Sequence, residues 1–196
     1  MTGKTRAAMM AETRGKLLAA GRKAFAEKGF AAASMDDLTA AVGLTRGALY
    51  HHFGDKQGLL AAVVAEIDGE MAATAKASAA RAPDPWAALE AEGIAYIELA
   101  LDPEVQRIVL RDGPAFLGDP SQWPSQSVCL VETRLVLAQL ARDGRLKPVD
   151  IEAAARLLNG AALDAALWVA ASTEPRSVLP RAIEAFRAMA RGLLAS

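Results

Sequence analysis

Residues 43–56 read Gly43-Leu44-Thr45-Arg46-Gly47-Ala48-Leu49-Tyr50-His51-His52-Phe53-Gly54-Asp55-Lys56. A tight turn, a helix of about two turns and the start of another helix fit into this stretch. So short a helix is not stable alone in water and must be held by packing. At 100° per residue, Phe53 falls about 40° to one side of Leu49 and Thr45 about 40° to the other. Leu49 and Phe53 therefore form the buried edge. Gly47 and His51 occupy the opposite direction, Arg46 and Tyr50 flank one side, and Ala48 the other. Gly47 in the middle of an outward face costs about 1 kcal/mol of helix stability relative to Ala. It permits close approach of the backbone to another surface, such as the floor of a groove. Arg46 suits the O6/N7 acceptors of guanine, and His51 can hydrogen-bond a base edge. Thr45 is an N-cap whose hydroxyl can also meet a phosphate. The stretch reads as the recognition helix of a helix-turn-helix DNA-binding domain.

The flanks agree. Ser34-Met35-Asp36-Asp37-Leu38 opens an earlier short helix, with Ser34 as N-cap and Asp37 in a weaker form of the capping box. Gly43 supplies its C-terminal turn. Asp36 and Asp37 would repel phosphate and are read as cap residues. Asp55 caps a further helix whose first residue, Lys56, lies at a positive helix end where a phosphate is favoured. The expected DNA-contacting set is Ser34, Thr45, Arg46, Gly47, Tyr50, His51, His52 and Lys56. Tyr50 has a core alternative, and His52 can bond either a phosphate or a group near Thr45. Arg6 and Arg14 either follow the DNA backbone or are disordered.

Spacing and residue type in this block make residues 12–60 resemble the N-terminal domain of the TetR family of transcriptional regulators. The residues that carry the resemblance are Leu17, Ala20, Phe25, Gly29 and Phe30, then Ser34, Leu38, Ala41 and Gly43, then Thr45, Gly47, Leu49, Tyr50, His52, Phe53 and Lys56. The resemblance implies an all-α chain: a three-helix DNA-binding domain over residues 1–55 and a helical ligand-binding and dimerisation domain over 56–196. It further implies a repressor that binds a palindromic double-stranded operator as a homodimer and is released by a small-molecule effector. In such a switch the helix after Asp55 is a rod that passes a ligand-dependent tilt to the recognition helices.

Composition is compatible with this reading. The chain has 196 residues with a hydrophobic content of 53%. Its net charge of −1 hides an asymmetry: residues 1–60 hold nine Lys or Arg against five acids, a net +4, leaving −5 for the remainder. A basic head on a more acidic body is what a DNA reader shows. The single Cys129 excludes an internal disulfide and fits a reducing cytoplasm. No apolar run reaches the length of a membrane span, and no signal-peptide core is visible at the N-terminus. No phosphate loop, nucleophile–base pair or metal-ligand cluster is present, so neither catalysis nor a cofactor is expected. His51 and His52 point 100° apart and do not make a metal site. A DNA binder without a sensor, constitutive or architectural, and a transcriptional activator remain the alternative functions.

Nine helices are expected, at about 6–28, 35–42, 46–53, 56–78, 86–101, 102–112, 125–143, 149–172 and 176–194, with the Pro- and Gly-rich segment 113–124 as loop. The last two carry apolar residues on more than one face and need more than one partner. A four-helix bundle with a second copy follows, with Leu158, Ala162, Ala165, Ile183, Phe186 and Ala190 in the interface. The alternative is burial within one protomer. Candidates around an effector cavity are Trp86, Tyr96, Ile97, Phe116, Trp123, Val128, Leu135, Asn159, Leu163 and Trp168, with Arg111, Asp112, Arg134 and Asp164 as polar groups. Each aromatic has an ordinary core role as its alternative, and Arg111 a surface salt bridge. Asp164 lies in an apolar stretch and would need a partner if buried.

Overall fold

The computed structural model describes residues 5–195. Lys4, one of the cations counted in the head, lies outside the described residues. Helix α1 spans Arg6–Lys28, α2 Met35–Ala41 and α3 Arg46–Phe53. The long α4 runs Lys56–Ala79 and α5 Pro85–Glu98. A π-helical stretch, Val105–Asp112, continues into the short α6, Gly113–Leu117. Helices α7 (Pro124–Arg142), α8 (Ile151–Ala171) and α9 (Pro175–Arg191) complete the body. Among the described residues the only β-type pairing is an isolated bridge between Leu146 and Leu194.

The helix starts follow from their caps. Thr5, Ser34, Thr45, Asp55, Asp84 and Asp150 each accept a backbone N–H from the first turn of the helix they precede. Between α2 and α3, Gly43 adopts φ +67°, a conformation that L side chains rarely take. That turn sets the angle between the two helices. Leu17, Phe25, Leu38 and Leu49 meet Leu59 and Leu60 of α4 in a dry core. Leu49 is fully buried, which contributes about 1.5–3 kcal/mol and anchors a helix too short to stand alone.

Segment 113–124 is not mostly loop. Pro114 and Pro120 lie in the first turns of α6 and of a 3-10 turn, Pro120–Gln122, where a missing N–H costs nothing. The expected helix at 102–112 is π-helical from Val105 onward, and α5 ends in a 3-10 turn at Leu99–Leu101.

Head and body are tied at three places. Arg22 of α1 reaches Glu104 at 2.7 Å, Glu70 of α4 at 2.7 Å and Glu66 at 3.1 Å. The Phe30 N–H donates to the Asp112 carboxylate at 2.7 Å. The Gln57 amide donates to the Phe116 carbonyl, and the Phe116 ring lies 4.4 Å from that of Phe30. The first two of these ties end on Glu104 and Asp112, at the two ends of the π-helical stretch.

Candidate nucleic-acid interface and body cavity

Arg46, Gly47, Tyr50 and His51 are all exposed, Gly47 and His51 opposite the buried Leu49 and Arg46 and Tyr50 on one flank. Tyr50 is 46% exposed, which removes its core alternative. A Cβ on Gly47 would meet only the Thr45 hydroxyl, at 3.7 Å. Nothing inside the protein therefore requires glycine there. The Arg46 guanidinium rests 3.4 Å from the Asp36 carboxylate. A solvent-exposed pair of this kind is worth at most about 1 kcal/mol, so Arg46 is cheaply released to another acceptor. Asp36 thus holds the arginine side chain, while the cap of α2 is Ser34.

The other expected contacts are placed as follows. Thr45 and Ser34 spend their hydroxyls as N-caps, accepting from Ala48 N–H at 3.2 Å and Asp37 N–H at 3.3 Å. His52 is half-buried, with its ring between those of His51 and Phe53. Lys56 is half-buried too. Its ammonium donates to the Ala31 carbonyl at 3.3 Å and sits 4.6 Å from the centre of the Phe30 ring. Burial lowers its pKa. Two of its three donors stay available, so the lysine both braces the start of α4 and offers charge beside it. Arg14 lies over the Phe53 ring at 5.1 Å.

In the body, a cavity of about 260 Å³ opens between α4, α5, α7, α8 and α9. Its walls are mostly apolar: Ala72, Ala75, Leu89, Leu158, Ala162 and Phe186. The polar groups are Asp68 and Lys76 from α4, Glu92 and Tyr96 from α5, Ser125, Gln126, Cys129 and Thr133 from α7, and Asn159 from α8. Asp68 is only 4% exposed. Burial pushes its carboxyl up, partly offset by a hydrogen bond from Ser125. Burial raises Glu92 as well, opposed by the charge of Lys76 and reinforced by that of Glu132. The Tyr96 hydroxyl and the Cys129 thiol are pushed up mainly by burial. Lys76 pairs with Glu132 at 2.7 Å, and that hydrogen bond raises its pKa. Thr133 donates to the Asn159 side-chain oxygen at 2.9 Å, which leaves the buried Asn159 Nδ2 without a partner.

Against this frame of helices the family described as "Bacterial regulatory proteins, tetR family" matches residues 17–63. The family described as "Tetracyclin repressor-like, C-terminal domain" matches residues 86–193, more than half of the chain. The chain belongs to the TetR family. It is similar to the HTH-type transcriptional repressor AcnR of Corynebacterium efficiens, 31% identical over 143 residues, covering 71% of this chain and 73% of that one. It is also similar to the transposon Tn10 TetC protein of Escherichia coli, 28% identical over 149 residues, covering 74% of this chain and 73% of that protein. A crystal structure of a TetR-family transcriptional regulator from Pectobacterium atrosepticum superposes with a TM-score of 0.87 at 47% identity, covering 98% of this chain and 99% of that one. The all-α architecture, with a helix-turn-helix head and a helical body, is the TetR fold. The chain is a DNA-binding transcriptional regulator, and its relatives are regulators, not enzymes. No helix among the described residues is long and apolar enough to cross a membrane.

Of the expected effector residues, Tyr96, Val128 and Asn159 line the cavity of this TetR body, whereas Ile97 is fully buried core and Leu135 is 66% exposed. Trp86 and Leu163 are core residues. Arg111 donates to the Ala170 carbonyl at 3.0 Å, near the end of α8. Phe116 packs on Phe30 of the head, and Trp123 lies against Gly113, its ring 2.7 Å from where a Cβ would stand. Asp164 is exposed, so its carboxylate needs no buried partner. Trp168 is exposed as well, with Arg181 5.7 Å above its ring.

Four of the six expected interface residues are taken up inside the protomer. Leu158, Ala162, Phe186 and Ala190 are buried within the protomer, and the first three line the cavity. The Phe186 ring reaches to 2.5 Å from a Cβ position on Gly93. Ala165 and Ile183 are half-buried. The outward stripe of α8 is Leu157, Gly160, Asp164 and Trp168, and on α9 Ala185 and Met189 are exposed. Leu157 is 73% and Met189 63% exposed. One residue along a helix is a turn of 100°, so choosing Leu158 over Leu157 selects the inner face. Asp68 was missed, although its spacing to Val64, Met71 and Ala75 puts it on the buried stripe of α4.

Proposed function

We propose that this chain is a ligand-responsive repressor that binds a palindromic operator as a homodimer. The carrying observation is the run of α4 from one functional region to the other. Its N-terminus, Asp55 to Gln57, abuts α3, and its middle, Asp68 to Lys76, is a cavity wall. A molecule lodged against Asp68 bears directly on the element that orients the recognition helix. The exposed Arg46, Gly47, Tyr50 and His51 read bases in the major groove, while Thr45, His52, Ser34 and Lys56 lie where phosphates pass. Two copies joined through the exposed stripe of α8 and α9 set the two heads about one turn of DNA, roughly 34 Å, apart. Repression is favoured over activation by the names of the relatives, since AcnR of Corynebacterium efficiens is described as a repressor.

The test is selection from random duplexes, followed by fluorescence anisotropy and sedimentation. Enrichment of an inverted repeat, bound two chains per duplex, is expected. Enrichment of a single unrepeated half-site, or of nothing, would refute the dimeric operator reading.

A further inference from the structure

We propose that the body cavity takes a small organic monocation, a protonated amine on a mainly apolar skeleton with a hydrogen-bond acceptor at its other end. This rests on the reading of the cavity as the effector site and adds the chemical class. At about 260 Å³ the cavity is at or below the small end of ligand sites, which span roughly 300–1,000 Å³. Its apolar lining calls for a hydrocarbon body.

The charges decide the rest. Asp68 and Glu92 line the space, and Glu132 stands beside it. The one cation in the lining, Lys76, is already held by Glu132 at 2.7 Å. Asp68 has a neutral hydroxyl, Ser125, as its hydrogen-bond partner, although a carboxylate can accept about four hydrogen bonds. Glu92 has no hydrogen-bond partner among the described residues. Three acids thus border a largely apolar space that holds one cation, Lys76, whose charge Glu132 and Glu92 share. Burying such charge is costly unless it is paired. An ammonium entering the cavity supplies the pairing, whereas a carboxylate ligand meets only repulsion. Burial raises both Asp68 and Glu92, so each protonates more readily while the cavity is empty, and an ammonium beside them favours the ionised form. The acceptor is specified separately. The buried Asn159 Nδ2 has no partner, because Thr133 engages the other end of that amide. A ligand oxygen there satisfies it.

Three probes of similar shape, each with an ether oxygen as the acceptor at the aryl end, test this on the full chain at pH 7: 4-(4-methoxyphenyl)butylamine, 4-(4-methoxyphenyl)butan-1-ol and 4-(4-methoxyphenyl)butyrate. Calorimetry is expected to show the amine binding at least tenfold more tightly than the alcohol, and no binding of the acid. In Glu92→Gln and Asp68→Asn the amine-to-alcohol ratio falls toward one. If Asp68→Asn does not fold, Glu92→Gln carries the comparison, since Glu92 is only half-buried. Equal binding of amine and alcohol, preference for the acid, or no binding of any probe overturns the proposal. Anisotropy on the selected duplex, run in parallel, separates the two claims. Amine binding that leaves DNA bound supports the cation site and defeats the effector reading. DNA release by the alcohol or the acid but not by the amine does the reverse.

Discussion

Replacing Gly47 by alanine is expected to strengthen the fold and weaken DNA binding at once. An added Cβ meets nothing closer than the Thr45 hydroxyl at 3.7 Å, an ordinary contact. The backbone there is helical, so alanine removes unfolded-state freedom without strain, a gain of about 0.5–1 kcal/mol. For a chain of this size that raises Tm by about 2–4 °C at most. On DNA the sign reverses. If the α3 backbone lies against a groove floor, a methyl group forces the helix outward by about the length of a carbon–carbon bond. The Arg46 and His51 contacts then stretch, and each good base contact is worth about 1–3 kcal/mol. A loss of roughly tenfold to a hundredfold follows, larger for Gly47→Leu. Thermal unfolding reads the first effect and anisotropy on the selected duplex the second. An alanine variant that binds as tightly as the parent refutes close backbone approach.

Arg46→Ala should relax base preference at one position in each half-site, costing about 1–3 kcal/mol there. Equal weakening on all duplexes would make Arg46 a phosphate contact. Lys56→Ala should lower the slope of binding against log salt by about one unit per bound chain, and also lower Tm, because the stack on Phe30 is lost. An unchanged slope restricts Lys56 to bracing α4. Leu157→Glu should give monomers by sedimentation with unaltered protomer stability, given its exposure; persistence of dimers places the interface elsewhere. Burial alone would raise the Glu90 carboxyl, but Arg191 and Arg187 outweigh it and hold it below its ordinary value. Its stabilisation is therefore present above the unfolded pKa and is lost as pH falls through the folded one. Glu90→Gln should flatten that acid limb of the Tm profile, and an unchanged limb would show the pair to be inconsequential.

The head was legible because its signals are local. Ser34, Thr45 and Asp55 each cap a helix through their own side chain, and Gly43 marks its own turn. The body was legible as helices but not as faces. In α8, small and large apolar residues spread over several sides, and Asp164, two turns from Leu157, is a sparse mark of which side faces out. The cavity depends on how five helices converge, and its acids come from separate segments. Only Asp68, on the buried stripe of α4, announces itself in sequence. Arg111 and Trp123 looked available because their partners, the Ala170 carbonyl and Gly113, carry no side-chain signature. The π-helical stretch likewise follows no pattern that an α-helical period would reveal.

Helix α8 is a partition one helix thick, with Leu158, Asn159 and Ala162 on the cavity side and Leu157, Gly160 and Trp168 on the outer side. A guest inside and a sister subunit outside would therefore lean on a shared strip of backbone. Thermodynamic reciprocity follows for such a wall: whatever occupancy does to the strength of pairing, pairing does to the affinity for the guest. Dilution and titration then become two routes to the same coupling energy, and cooperative uptake across the pair needs no relay longer than the width of a single helix.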